Sequence, residues 1–253
     1  MNRTKLNLGC GSRFHTDASW ENVDYYRRRP YVRGLDLKRG LPFPDDTFEF
    51  IYSSHVLDHF VFPKQVTFIL REALRCLKHG GVLRVSVPDL EFNCRRYLAS
   101  VAENASNPDR HEWYTIELLD QMTRTTFGGQ KAGFLRAARD RPDIQNWLRP
   151  LLGHEMLQHL DRSAPAAPDL LRRGRNYARR LLFSRSFENS GERHFWTYDW
   201  IGLSGVFRIA GFEEVSRPDC RHSMYITYGS ESLDVEDGCE YKPGSLYVEG
   251  RKP

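Results

Sequence analysis

Several features that would classify a 253-residue chain at once are missing or sparse here. Cysteine is limited to five residues, Cys10, Cys76, Cys94, Cys220 and Cys239, odd in number and never spaced as C-x-x-C. A reducing compartment explains that pattern better than a disulfide framework or a cysteine-based zinc site does. No run approaches the roughly eighteen apolar residues of a membrane helix. An organised motif begins within five residues of Met1, leaving no room for a signal peptide, so a cytoplasmic location is expected. Lysine is scarce, seven against thirty arginines, so part of any arginine signal reflects genomic composition. At 40% hydrophobic and 28% charged the chain is neither a disordered polymer nor a mini-protein. It is long enough to bury roughly three-quarters of its unfolded surface, as one domain with or without a substantial insertion.

The net charge of +4 is uneven along the chain. Lys131 to Arg185 holds 12 basic and 5 acidic residues and so carries +7, leaving −3 for everything else. Short strands are expected at Lys5–Leu8, Glu21–Tyr25, Val32–Leu35 and Phe48–Tyr52, the last an apolar run of the kind a buried parallel strand needs. Val66, Ile69, Leu70, Ala73, Leu74 and Leu77 fall at spacings of three and four, predicting a helix over 63–77 that ends at Lys78-His79-Gly80-Gly81. Val82–Val87 alternates into Pro88 as a fifth strand. Helices are expected over Phe92–Ala105 and Trp200–Ala210, and strands at Phe212–Val215 and Ser245–Glu249. This order predicts an α/β fold with a parallel sheet. The boundaries drawn are 1–105 and 191–253 for the sheet domain and 106–190 for a mainly helical, Arg-rich insertion.

Strand Lys5–Leu8 runs into Gly9-Cys10-Gly11, a turn in which backbone N–H groups can approach a ligand closely. Asp24, ending the next strand, is placed to accept hydrogen bonds from ribose hydroxyls. A plain tight turn explains the two glycines equally well. The third glycine of a dinucleotide fingerprint is absent, and so is a P-loop, which argues against a ligand with phosphates to cradle.

Lys5-Leu-Asn-Leu-Gly-Cys-Gly11, Asn22-Val-Asp24, Asp36-Leu37, Leu41-Pro-Phe-Pro44, Ser54-His-Val-Leu-Asp-His59, Leu77-Lys-His-Gly-Gly81 and Val85-Ser-Val-Pro-Asp89 occur in that order. Together they resemble class I S-adenosylmethionine-dependent methyltransferases, in particular the type 11-like group with a glutamate-histidine signature after the fourth strand and relatives in bacterial polysaccharide and sugar O-methylation. The resemblance is dense over residues 5–92 and returns over 194–252. It implies a Rossmann-like sheet of seven strands, mostly parallel with the last antiparallel. The implied cofactor is S-adenosylmethionine, leaving as S-adenosylhomocysteine. By position, Gly9, Cys10 and Gly11 would lie under its methionine part and Asp24 on the ribose. Asp36 and Leu37 would meet the adenine, with Ser53, Ser54 and His55 near the sulfonium. Two departures stand out: the segment between Gly11 and Asn22 lacks helical periodicity, and the signature glutamate is Asp58 here.

An acceptor hydroxyl must lose its proton, to a general base or with the help of a divalent metal such as magnesium. His59 is the first candidate base, with a purely structural loop histidine as the other reading. Asp89 is the second candidate and could equally cap the following helix. His154-Glu-Met-Leu-Gln-His159 is not a metalloprotease pattern, its histidines being five apart rather than four. His154, His194, Trp196 and Tyr198 are acceptor-side candidates, since aromatic planes suit sugar faces, with core packing as the alternative for Trp196, as for Trp200. Arg172, Arg175 and Arg179 would share a helix face; a solvated face, an anionic acceptor, and a membrane surface or lipid-linked substrate all fit. Nucleic acid is not expected, because no RNA-binding module accompanies them. The leading expectation is O-methylation of a sugar or oligosaccharide hydroxyl, a polysaccharide precursor. N- or C-methylation of a lipid-like or aromatic metabolite is the alternative within enzymes, and a non-catalytic cofactor-binding protein the alternative outside them.

Overall fold

A computed structural model describes residues 3–25, 30–103, 106–161, 193–225 and 232–253. The Arg172–Arg185 cluster singled out by composition lies outside them. The chain forms two compact units, 1–92 with 195–253, and 93–194. The helix expected from Phe92 starts at Leu90 and contributes most of its length to the second unit.

The first unit is built on a seven-stranded sheet of β1 (Lys5–Leu8), β2 (Trp20–Asp24), β3 (Val32–Gly34), β4 (Phe48–Ser54), β5 (Leu77–Pro88), β6 (Glu213–Ser216) and β9 (Ser245–Arg251). Their order across the sheet is β3-β2-β1-β4-β5-β9-β6, with β9 antiparallel to both neighbours and β1 to β5 parallel. This is the mostly parallel, Rossmann-like sheet that the sequence predicted. A two-stranded hairpin, β7 (Val235–Glu236) and β8 (Cys239–Glu240), was not expected.

Because side chains alternate along a strand, the sheet has two different faces. Leu6, Leu8, Val23, Ile51, Leu83, Val85, Leu246 and Val248 point into an apolar core shared with α1 (Lys64–Cys76) and α7 (Trp200–Ala210). Helix α1 buries Val66, Ile69, Leu70 and Ala73, the stripe read from the spacing. It stops at Cys76 rather than Leu77. Leu77 turns extended, is fully buried and pairs with Phe48, so the strand captures it before the cationic Lys78-His79 turn. Asp199 caps α7 by accepting from the Gly202 N–H, and Gly211, in the left-handed region at φ 109°, ends it.

The opposite face carries Asn7, Trp20, Asn22, Phe50, Tyr52, Val82, Arg84, Tyr247 and Glu249, all buried. Between β1 and β2 no helix forms. Instead Asn7 Nδ2 donates to the Arg13 carbonyl at 3.0 Å and Asn22 Nδ2 to the His15 carbonyl at 2.8 Å, pinning the connection. Leu233, Met224 and Tyr225 pack on Trp20, Phe50, Tyr52 and Val82. The fully buried Arg84 guanidinium is held by Asp234 and Glu249, each at 2.8 Å, and by the His222 and Asp219 carbonyls.

The second unit contains α2 beyond Phe92 (the whole helix is Leu90–Ala102), α3 (Pro108–Thr123), α4 (Gly129–Ala138), α5 (Pro142–Leu148) and α6 (His154–Asp161). Its own core is Trp113, Ile116, Phe134, Leu135, Ala138, Ile144, Leu148, Leu152 and Leu160. The buried Asp120 carboxylate accepts from the Gln130 N–H at 2.7 Å and pairs with Arg124, fastening α4 to α3.

Candidate active site

At the carboxyl end of β1, Gly9 and Gly11 both have positive φ, 64° and 53°. A Cβ on Gly9 would come within 2.4 Å of Val56 Cγ2, so this glycine is required by the loop packed against it. A Cβ on Gly11 would meet nothing within 4 Å. The Gly11 turn therefore opens onto space that a side chain would fill. The Gly11 N–H donates to Asp24 Oδ2 at 3.0 Å, which fixes that carboxylate at the rim of the same space. Cys10 is buried between them, and burial together with the Asp24 charge pushes its thiol up to about 12.

Asp36 follows β3 and caps the short 3-10 turn Leu37–Arg39, its Oδ1 accepting from the Lys38 N–H at 3.0 Å. Leu37 is buried beneath it. Ser53 and Ser54 end β4, and Ser86 Oγ donates to Ser54 Oγ at 2.9 Å. His55, the next residue, lies in the left-handed region at φ 53°, which costs a non-glycine residue roughly 1–2 kcal/mol. Two contacts hold it there: its N–H donates to the Ser86 carbonyl, and Nε2 lies 2.8 Å from Ser245 Oγ. These groups fit a cationic nucleoside ligand that has hydroxyls and an exocyclic amine but no phosphate. The Asp24 carboxylate lies at the open glycine turn, and Asp36 follows the neighbouring strand β3.

The loop after β4 forms the 3-10 turn Leu57–His59. Asp58 is fully buried, and its Oδ2 lies 3.5 Å from Nε2 of the partly exposed His59. The Asp58 carbonyl accepts from the Phe195 N–H at 2.7 Å and the Trp196 N–H at 3.4 Å, which ties residues 195–196 to this loop. Trp196 stacks on Phe62 with centroids 4.6 Å apart and planes 7° apart, and it stays 42% exposed. Tyr198 does not present an accessible wall as expected. It is buried, its OH donates to the Leu57 carbonyl at 3.2 Å, and desolvation with the Asp58 charge raises its pKa far above the ordinary phenol value.

Asp89 is occupied structurally. Oδ1 accepts from the Phe92 N–H at 3.2 Å, capping α2, and Oδ2 accepts from Arg217 at 2.9 Å. Those bonds favour the capping role over that of a base. His154 opens α6 and is exposed, while His194, in the second unit, lies with Nε2 2.8 Å from Gln121 Nε2. Sequence reasoning missed Ser245, Arg217 and Arg13. Arg13 donates to the Leu233 and Val235 carbonyls at 2.9 and 2.8 Å and covers the Tyr241 ring at 4.0 Å. Only the position of Arg13, two residues past Gly11, could have marked it.

Residues 17–85, spanning β2 to β5, match the family model described as a methyltransferase domain. A search of curated proteins finds no match. Among solved structures, the chain is similar to a methyltransferase from Thermotoga maritima (16% identity, 99% of this chain and 82% of that one, TM-score 0.42). It is likewise similar to one from Listeria monocytogenes (14%, 100% and 92%, 0.42) and one from Archaeoglobus fulgidus (11%, 99% and 86%, 0.41), all S-adenosylmethionine-dependent. Likeness at this level carries no argument about what is methylated. The domain match lies within a sheet of this strand order, so over residues 17–85 the chain is similar to a methyltransferase domain. Among the described residues, no helix is long and apolar enough to cross a membrane.

Proposed function

We propose that this chain is an S-adenosylmethionine-dependent methyltransferase that O-methylates a hydroxyl of a sugar or oligosaccharide, with His59 as the general base. The observation that carries the reading is the exposed Trp196 plane, pinned on Phe62 and tied through its own N–H to the carbonyl of Asp58, the residue before His59. An aromatic plane beside an imidazole is the arrangement a sugar needs: its C–H face rests on the ring while a hydroxyl reaches the base.

S-adenosylmethionine, when bound, supplies an electrophilic methyl group on a sulfonium. Asp24 and Asp36 would hold its ribose and adenine, and the turn at Gly11 would admit its amino-acid end. The remaining work belongs to the acceptor. The hydroxyl must be aligned with the methyl–sulfur axis, and the Trp196 plane restricts its approach. Its proton passes to the His59 ring, and the Asp58 carboxylate 3.5 Å from Nε2 stabilises the imidazolium formed. Asp58 thus acts through His59, which explains why its carboxylate is buried beside a partly exposed imidazole.

His59→Ala should lower turnover by roughly two to four orders of magnitude while cofactor affinity stays within a few-fold. Incubation with labelled cofactor and saccharide extracts, with and without a chelator, gives the readout. Transfer to saccharide that survives the chelator and fails in His59→Ala supports the proposal. Transfer only to lipid or aromatic metabolites overturns the acceptor, and unchanged turnover in His59→Ala overturns the base.

A further inference from the structure

Beside the edge strand β3 the first unit has a cleft of about 700 Å³, and none of the residues assigned above to cofactor or base lines it. The short β1–β2 connection forms one wall, with His15 and Asp17, while β2 and β3 supply Asn22 and Arg33. Tyr31 and Phe43 complete it.

We propose that this cleft is a saccharide-binding subsite that grips part of the acceptor away from the hydroxyl being methylated. The inference rests on the saccharide reading above and adds a second point of contact. Three features support it. First, the walls mix aromatic planes with planar polar groups: Tyr31 is 59% exposed, and the Arg33 guanidinium lies over the Phe43 ring at 5.4 Å. Sugar rings need both kinds of surface, since their C–H faces are apolar and each hydroxyl donates and accepts. Second, among the described residues the lining charges cancel: Arg3 and Arg33 stand with Asp17 and Glu21, and Arg3 is already paired with Glu21. A polyanion would gain little from such a lining, whereas a neutral, hydroxyl-rich ligand loses nothing. Third, the volume falls within the range of clefts that hold small ligands and exceeds the needs of one sugar ring.

The connection that makes the cleft is the one in which Asn7 and Asn22 take the place of a helix. Hydrogen bonding is satisfied there, among the described residues, without a helix between β1 and β2.

A glycan array of neutral and sulfated oligosaccharides, probed with the full chain and no cofactor, tests the site. Binding to neutral oligosaccharides is expected, weakened about ten-fold in Tyr31→Ala and in Arg33→Ala, both exposed positions. With a methylated oligosaccharide acceptor, Tyr31→Ala should raise KM several-fold and leave kcat unchanged, while a monosaccharide acceptor should show no change. Binding and KM indifferent to both substitutions would overturn the subsite, as would binding confined to sulfated glycans and lost on adding salt. Glycan binding that depends on Tyr31 in a chain that methylates no saccharide would uphold the cleft and sink the function proposed above. Saccharide methylation with Tyr31→Ala unaffected would do the reverse.

Discussion

Gly9 and Gly11 stand two residues apart and have different reasons to be glycine. Gly9→Ala adds a left-handed strain of roughly 1–2 kcal/mol to the collision with Val56, another ~1–3 kcal/mol, and should lower stability in urea by about 2–5 kcal/mol. Gly11→Ala should cost only the strain, yet reduce S-adenosylmethionine affinity in calorimetry by about ten-fold or more, because its methyl occupies the open space. The reverse ranking would mean that the turn holds no ligand. Asp24→Ala should likewise weaken the cofactor about ten- to a hundred-fold, the scale of a charged hydrogen bond, with turnover at saturating cofactor little changed. The thiols give a residue-scale test that needs no substrate. Cys10 and Cys76 are buried, and desolvation pushes their thiols up to about 12 and about 11. Both stay neutral at pH 8, where native protein treated with iodoacetamide should be modified first at the exposed Cys239; early labelling of Cys10 would contradict the packing around Gly11. The glycines, Asp24 and Asp36 were legible in the sequence because each depends on a strand end close by. Tyr198 was misread, since nothing in His194–Tyr198 says which ring of the run turns inward.

Strands β5 and β9 show where periodicity falls short. Val82-Leu-Arg-Val-Ser-Val alternates as a strand with one wet face would, yet both faces of this strand are buried. Arg84 can be buried because Asp234 and Glu249 meet it there, and the partners lie 150 and 165 positions along the chain. No local pattern reports such a pairing. Glu249 also accepts from Ser223 Oγ and the Met224 N–H at 2.5 and 2.7 Å, so its loss strands several donors as well as a charge. Glu249→Ala should therefore destabilise by about 3–5 kcal/mol in urea, and Glu249→Gln by less. A loss under 1 kcal/mol would show that water reaches Arg84. The end of α1 teaches a related lesson: glycine after lysine and histidine was read as a helix stop, but the β5 ladder had already taken Leu77.

Among the described residues the first unit has buried clusters on both faces of its sheet, and a separate cluster serves the second unit. The expected boundary at residue 106 put the helix from Phe92 with the sheet, whereas most of α2 falls in the second unit; the helices described there begin near the expected Pro and Gly breaks, Pro142 opening α5 and Gly129 opening α4. Helix boundaries moved because Asp89 caps α2 earlier than the apolar pattern suggests. If the second cluster supports its unit by itself, Leu148→Ala, a truncation worth about 2–5 kcal/mol, should raise hydrogen exchange in residues 106–161 and leave β1, β4 and β5 protected. Loss of protection in those strands would mean that the two units unfold together.

The position of β9 bears on how the chain can be made. Ser245–Arg251 lies between β5 and β6, and among the described residues β6 pairs with β9 alone. A ribosome releases β5 more than a hundred residues before β9, so one edge of β5 waits unpaired for roughly ten seconds or more at about 5–20 residues per second. Until then Val82, Val85 and Val87 offer their open backbone to any passing strand. The sheet therefore closes only once β9 has been made, and a chain halted before residue 245 would leave that edge of β5 unpaired.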